Sequence, residues 1–215
     1  MPKKELAIKH ATVYAAYLLI IWGFYRFIFR FPDEVEELII KPFLWLVPIV
    51  ILLKKERMSI SSLGITGRNL FPSIYLALGL GAVFMIEGLA VNFIKYGGFN
   101  FSANVSGNLL LAALGLSFAT AFSEEIAFRG FIFNRIWHSI GNEWIANVLT
   151  TIIWTLVHLP ITVFIWKANA FQVAVYLVLT IIFSLGSGFV FSKTKNVASS
   201  IFLHVLWEWP IILFG

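Results

Sequence analysis

The sequence predicts an all-α membrane protein, a polytopic bundle of about seven transmembrane helices that form one integral-membrane domain over residues 1–215. Among the 215 residues, 60% are hydrophobic and only 13% are charged. A soluble domain typically has about 25% charged and 45–50% apolar residues. Apolar stretches of about 20 residues, the length that crosses a bilayer, recur along the chain. We therefore expect a multi-pass protein whose first partner is the lipid bilayer.

The first two predicted spans differ from the others. Residues 10–30 follow a basic start, as in a signal peptide, but the apolar run is too long and lacks a cleavage site of small residues, so we expect it to be retained. Residues 38–53 are a short span, and Pro42 and Pro48 predict a kinked, tilted or partly embedded helix. The remaining predicted spans are long and apolar: 70–95, 108–134, 144–166, 169–191 and 196–214.

Charge and cysteine content exclude several functions. The net charge of +5 does not predict nucleic-acid binding, because the basic residues lie between apolar segments rather than along one stripe. The chain has no cysteine, which excludes thiol catalysis, disulfides and thiolate metal sites. The small size and the lack of cysteine favour a prokaryotic cell membrane.

A few ionisable residues inside apolar segments indicate where the function lies. Charged side chains at bilayer depth cost several kcal/mol and must pair or line a wet cavity. Glu87 in the third predicted span is expected to be a lone hydrogen-bonding group between helices. Three further spans carry the others: Glu124, Glu125 and Arg129 in the fourth, His158 in the fifth, and His204 and Glu208 in the last. A helical rise of about 1.5 Å per residue places Glu124, His158 and His204 within a slab about 10 Å thick. We expect these groups to meet at one internal site.

A purely structural role competes with a functional one at each position. Glu125 and Arg129, four residues apart on one helix face, are expected to form a structural ion pair. Glu124 has no cation on its own helix, which favours a functional role. His158 could be a buried histidine bonded to a backbone carbonyl, and His204 could form a polar clamp between helices. Their common depth favours a shared site.

Two types of hydrolysis fit these groups. Asp33 is the only aspartate and lies outside the spans, which excludes a paired-aspartate protease. No HExxH sequence occurs, so the usual two-histidine zinc helix is missing. Attack by water with the help of a carboxylate remains, as does metal-assisted hydrolysis by His158, His204 and a glutamate.

Three short motifs, in chain order, resemble a known family. Residues 124–129 read EEIAFR, residues 154–158 read WTLVH, and residues 204–208 read HVLWE. As EExxxR, WxxxH and HxxxE, they make residues 108–210 similar to the catalytic core of the CAAX prenyl protease and bacteriocin-processing (CPBP) family of intramembrane glutamic endopeptidases. The chain departs from the family at Trp154, where phenylalanine is usual, and at Glu208, where asparagine or aspartate is usual.

The resemblance implies a role for each motif residue. Glu124 would be the general base for a water that His158 also holds, and Glu125 with Arg129 would fix the helix and the local charge. His204 would stabilise the oxyanion. The resemblance also implies that no cofactor or metal takes part, and that the substrate is a membrane-associated peptide or lipid-modified protein.

Glu208 needs a separate interpretation. An ionised carboxylate would oppose an oxyanion, so we predict that Glu208 is protonated or orients His204. A glutamate at position 208 is also compatible with a second function, that of a non-catalytic immunity or scaffold protein that retains the site. A proton-coupled transporter is a further alternative, since intramembrane glutamates and histidines relay protons, although the sequence shows no repeated halves. An intramembrane endopeptidase agrees best with the motifs.

Overall fold

The computed structural model describes residues 1–100 and 109–214, and within these ranges it contains helices and no strand. Seven helices follow one another along the described chain. They are α1 (Lys4–Ile28), α2 (33–56), α3 (Leu70–Tyr96), α4 (109–140), α5 (Glu143–Ile165), α6 (Ala170–Thr194) and α7 (Ala198–Phe214). The predicted all-α membrane bundle is confirmed.

Five of the described helices are long and apolar enough to cross a membrane: α1, α3, α4, α5 and α6. The other two correspond to the second and the last predicted spans. In α2, the apolar part Lys41–Glu56 has 16 residues and follows an acidic first turn. In α7, the helix has 17 residues, the lower limit for a span. These two are therefore shorter helices packed with the five long ones.

Capping residues set several helix boundaries. The α4–α5 turn has Gly141 in the left-handed region (φ 81°), followed by Asn142, whose side chain accepts hydrogen bonds from two amides of the first turn of α5. Asn169 and Gln172 form a reciprocal capping box at the start of α6. Such signals explain why α5 and α6 begin close to where the sequence predicts them.

Close helix packing brings α4, α5, α6 and α7 together. The helix α7 packs against α3, α4 and α6, and α5 packs along α6. At the α5–α6 contact, the Asn147 amide donates to the Leu185 carbonyl (2.9 Å), and a Cβ at Gly188 would lie only 1.9 Å from Asn147 Oδ1. Large aromatic side chains, among them Phe128 and Trp154, fill the space between these helices. This core surrounds the candidate site.

A second polar cluster joins three helices away from that site. Arg135 on α4 donates from Nη2 to Glu56 Oε2 on α2 (2.8 Å), and from Nη1 to the Ser62 carbonyl (2.9 Å). His10 on α1 lies 3.1 Å from the other oxygen of Glu56. The side chains of Arg135 and Glu56 are both fully buried. The cluster therefore connects α1, α2 and α4 through one neutralised ion pair.

Candidate active site

The helix α4 supplies the two adjacent glutamates at a change in its geometry. Glu124 and Glu125 end its regular α-helical part, and wider π-type turns follow over Ile126–Phe133. Local π-type turns often occur at functional sites. Because neighbouring residues on a helix point about 100° apart, the two carboxylates enter different surroundings. Glu124 faces α2 and α5, whereas Glu125 faces α6 and α7.

Glu124 has one engaged oxygen and one free oxygen. Its Oε1 accepts a hydrogen bond from Lys41 Nζ (2.8 Å). Its Oε2 lies 3.6 Å from His158 Nε2 and has no hydrogen-bond partner within the described parts of the chain. Only 4% of Glu124 is exposed. The expectation that Glu124 lacks a cation partner holds for its own helix, but another helix supplies Lys41.

His158 is oriented so that its outer nitrogen faces Glu124. Its Nδ1 donates to the carbonyl oxygen of Trp154 (2.8 Å), and its ring stacks on the Trp154 indole at 4.7 Å. In the neutral imidazole, a proton on Nδ1 leaves Nε2 as an acceptor. The backbone hydrogen bond and the contact with the site are thus both present. They are not alternatives, because they use different ring nitrogens.

Glu125 is the centre of a saturated buried network. Its Oε1 accepts from Arg129 Nη1 (3.1 Å) and lies 2.8 Å from His204 Nδ1, while its Oε2 accepts from Ser187 Oγ (2.8 Å). Arg129 also donates to the carbonyl and hydroxyl of Ser184 and lies over the Trp154 ring at 4.3 Å. All three partners of Glu125 are buried. This arrangement fixes α4 against α6 and α7.

A cavity of about 240 Å³ lies beside Glu124. Ionisable and aromatic side chains of several helices line it: Arg26, Glu37, Lys41, Glu124, His158, Glu208, Trp22, Trp45, Trp166, Tyr176 and Trp207. A water occupies about 30 Å³ in the liquid, so the cavity has room for several waters or a short piece of a peptide. It brings a carboxylate and an imidazole into contact with such molecules.

The two α7 residues lie at different distances from this cavity. Glu208 lines it, and its Oε2 has no hydrogen-bond partner within the described residues. His204 does not line it, but lies behind its wall against Glu125 and only 3% exposed. Nδ1 of His204, the predicted oxyanion donor, is thus engaged by Glu125, and Nε2 is its remaining ring nitrogen.

Lys41 and Glu37 are polar site residues that sequence reasoning missed. Lys41 lies at the start of the apolar part of α2, next to the acidic segment 33–37, a pattern typical of a solvated loop. The one available signal is the spacing of four residues between Glu37 and Lys41, which suits an ion pair on one helix face. Nothing in the sequence indicates that this pair meets Glu124. Ser184 and Ser187 were missed because serines are common in transmembrane helices.

Residues 106–210 match the family model of the Rce1-like group, described as type II CAAX prenyl endopeptidase. The matched segment contains all three motifs and nearly all of α4 to α7. This match confirms the resemblance that the motifs indicate. No curated protein matches the chain. The cavity residues on α1 and α2, including Lys41, lie outside the matched segment.

Proposed function

With residues 106–210 belonging to the Rce1-like type II CAAX prenyl endopeptidases, we propose that the protein is an intramembrane endopeptidase that hydrolyses a membrane-associated substrate. The supporting observation is the pair Glu124 Oε2 and His158 Nε2, 3.6 Å apart in two residues that line the cavity. Both atoms are hydrogen-bond acceptors when Glu124 is ionised and His158 is neutral. One water can donate a hydrogen bond to each of them and turn a lone pair toward a peptide carbonyl.

Glu124 acts as the general base in this mechanism. As the water oxygen bonds to the carbonyl carbon, one water proton passes to Glu124 Oε2 and the carbonyl oxygen becomes an oxyanion. When the oxyanion collapses, the C–N bond breaks and Glu124 returns that proton to the departing amine. The products are a carboxylic acid and an amine, and Glu124 is ionised again. A positioned acid–base group of this kind contributes about 10²–10⁴-fold to a rate.

Glu125, Arg129 and His204 support the reacting pair. The saturated network around Glu125 holds α4 so that Glu124 keeps its position. Since Nδ1 of His204 donates to Glu125, Nε2 is the nitrogen left for an oxyanion, and it donates when His204 is the protonated imidazolium. Loss of one oxyanion donor typically costs about 3–4 kcal/mol. Because His204 lies behind the cavity wall, this role requires the substrate carbonyl to approach from the α7 side.

The proposed substrate is a peptide segment attached to the membrane by a lipid or a hydrophobic anchor. A farnesylated fluorogenic peptide ending in Cys-aliphatic-aliphatic-X, and the same peptide without the lipid, serve as probes in proteoliposomes. In cells, the termini of membrane proteins are compared by mass spectrometry between strains carrying the native protein and Glu124→Ala. We expect the strain with the native protein to contain specific cleaved termini that are missing from the Glu124→Ala strain.

Two site variants and one control test the proposal. Glu124→Ala and His158→Ala are expected to abolish cleavage while the protein still inserts into the membrane. Glu143→Ala, which removes a partly exposed carboxylate at the start of α5, is expected to cleave normally. Full biological activity in both site variants would contradict the endopeptidase proposal and favour a scaffold. Proton flux in proteoliposomes would favour a transporter.

A further inference from the structure

Lys41 connects the cavity to a helix outside the family segment. Its Nζ donates to Glu124 Oε1 (2.8 Å) and also forms an ion pair with Glu37, four residues earlier on α2. The side chains of Lys41 and Glu124 are only 4% and 5% exposed. A buried carboxylate is unfavourable without a cation, so this contact allows Glu124 to be charged at that position, whereas Lys41 also has Glu37 as a partner.

The surroundings of Lys41 hold its ammonium in place. The Glu37 carboxylate that binds it also accepts a hydrogen bond from Thr120 Oγ1 on α4 (2.8 Å). The rings of Trp22 and Trp45 lie 5.7 and 5.5 Å from Lys41 Nζ, within the range of cation–π attraction. The lysine is therefore fixed from three helices and cannot turn to another partner without breaking these contacts.

Lys41 binds one oxygen of Glu124 and leaves the other available. With Oε1 held by the ammonium, the carboxylate plane is set so that Oε2 lies toward His158. A carboxylate buried without a cation tends to bind a proton and become neutral. A neutral Glu124 could not remove a proton from water. The contact thus affects both the orientation and the charge of the proposed base.

We propose that Lys41 is a positioning residue that keeps Glu124 ionised and directs its Oε2 toward His158. Its catalytic consequence rests on the proposed function, whereas its effect on the charge of Glu124 does not depend on any substrate. Because Lys41 lies on α2, the N-terminal helices complete a site whose sequence motifs all lie in α4 to α7.

Several other ionisable groups surround Glu124. They come from every helix packed around it: Arg26 on α1, Glu37 on α2, Glu125 and Arg129 on α4, His158 on α5, Tyr176 on α6, and His204 and Glu208 on α7. Among these, Arg26 pairs with Glu36 and Glu37, and Arg129 pairs with Glu125. Within the described residues, Lys41 is the one lysine or arginine that forms an ion pair with Glu124.

Infrared spectroscopy of the carboxyl groups tests the charge without a substrate. In the native protein near neutral pH, we expect no neutral-carboxyl absorption from Glu124. Lys41→Met, which keeps the side-chain length but removes the charge, should add one neutral-carboxyl band. The double variant Lys41→Met and Glu124→Gln should lack that band. Lys41→Arg should resemble the native protein. Lys55→Met, at an exposed position on the same helix, is the matched control.

The pH dependence of peptide cleavage gives a second measurement. Without the lysine charge, Glu124 binds a proton at higher pH, so the acidic limb of the pH–rate profile of Lys41→Met should move up by about one unit or more. Near neutral pH, we expect kcat to fall by about 10²-fold or more, toward the loss expected without a base, with little change in KM. A merely structural role would reduce the amount of folded protein without moving the profile.

The outcomes separate this inference from the proposed function. If Glu124 titrates identically in the native protein and in Lys41→Met, the inference is wrong whether or not the protein cleaves peptides. If the new band appears but Glu124→Ala retains full biological activity, the charge role stands and the catalytic role fails. Should Lys41→Met not fold, Lys41→Gln provides the same measurement, because its amide still donates a hydrogen bond but carries no charge.

Discussion

At the residue scale, two adjacent glutamates differ because their partners differ. Glu125 accepts from Arg129, His204 and Ser187, so both of its oxygens are occupied. Glu124 has Lys41 on one oxygen and no hydrogen-bond partner on the other within the described chain. A fully engaged carboxylate stabilises the structure, and a half-engaged one can take a proton. These contacts support the structural role proposed for Glu125 and the reactive role proposed for Glu124.

Glutamine substitutions should separate these two roles. Glu124→Gln should fold normally, because Lys41 keeps Glu37 as a partner, and should reduce cleavage by about 10²–10⁴-fold. Glu125→Gln leaves Arg129 as a buried unpaired charge and should lower stability by about 3–5 kcal/mol. Unfolding in detergent and cleavage of the fluorogenic peptide are measured in parallel. Equal loss of stability in both variants would contradict this assignment.

Substitutions of Glu208 test its protonation. The residue lines the cavity with one oxygen that lacks a hydrogen-bond partner in the described structure. A protonated carboxyl and an amide both donate hydrogen bonds, so Glu208→Gln should retain cleavage and Glu208→Ala should lose it. Cleavage rates at equal amounts of folded protein provide the comparison. An active alanine variant with an inactive glutamine variant would show that the protonated form is not required.

At the element scale, buried ion pairs fix the positions of helices around the cavity. Arg129 joins α4 to α6 through Ser184, and Arg135 joins α4 to α2 through Glu56. Arg129 lies within the π-type turns over Ile126–Phe133, where the α-helical hydrogen-bond pattern is interrupted, and Arg135 lies two residues after them. The two arginines therefore hold α4 within its least regular segment and just after it.

Arg135 should matter for stability and not for the chemistry. Arg135→Ala leaves the Glu56 carboxylate buried with His10 as its remaining ionisable partner, so we expect a loss of about 3–5 kcal/mol. The exposed Lys54, on the same helix as Glu56, provides the control Lys54→Ala, which should change stability by less than about 0.5 kcal/mol. Thermal unfolding in detergent measures both. Loss of cleavage per folded molecule in Arg135→Ala would contradict a purely structural role.

At the scale of the whole molecule, two parts of the chain build one cavity. The segment that matches the family contributes Glu124, His158 and Glu208. The helices α1 and α2, outside the match, contribute Arg26 and Lys41 to the same wall. The matched segment alone would leave the Oε1 side of Glu124 without its cation. The complete site therefore forms only where α1 and α2 pack against the matched segment.

The two types of hydrolysis predicted from the sequence differ in their response to chelators. Glu124 already binds an ammonium, and Glu125 and His204 bind each other, so few donor atoms remain for a zinc ion. We expect cleavage of the fluorogenic peptide to be unchanged after incubation with EDTA or phenanthroline. Inhibition that added zinc reverses would instead support metal-assisted hydrolysis by His158, His204 and a glutamate.

The sequence by itself determined the class of fold and the helices that carry the motifs. Burial in a bilayer demands long apolar helices, and ionisable residues are rare enough there that Glu124, His158 and His204 stand out. The residues of the last four helices that we selected do converge. The sequence also predicted a short second span, and its apolar part Lys41–Glu56 has 16 residues. The acidic segment 33–37 before it resembles a loop in sequence but forms the start of the same helix.

Only the tertiary structure decided which groups meet. Lys41 reaches Glu124 across 83 positions of sequence, and His204 contacts Glu125 across 79. Composition and helical period tell which residues share a face, but not how each helix is rotated against its neighbours. That rotation depends on side-chain packing throughout the bundle, and it gives the two glutamates their different partners.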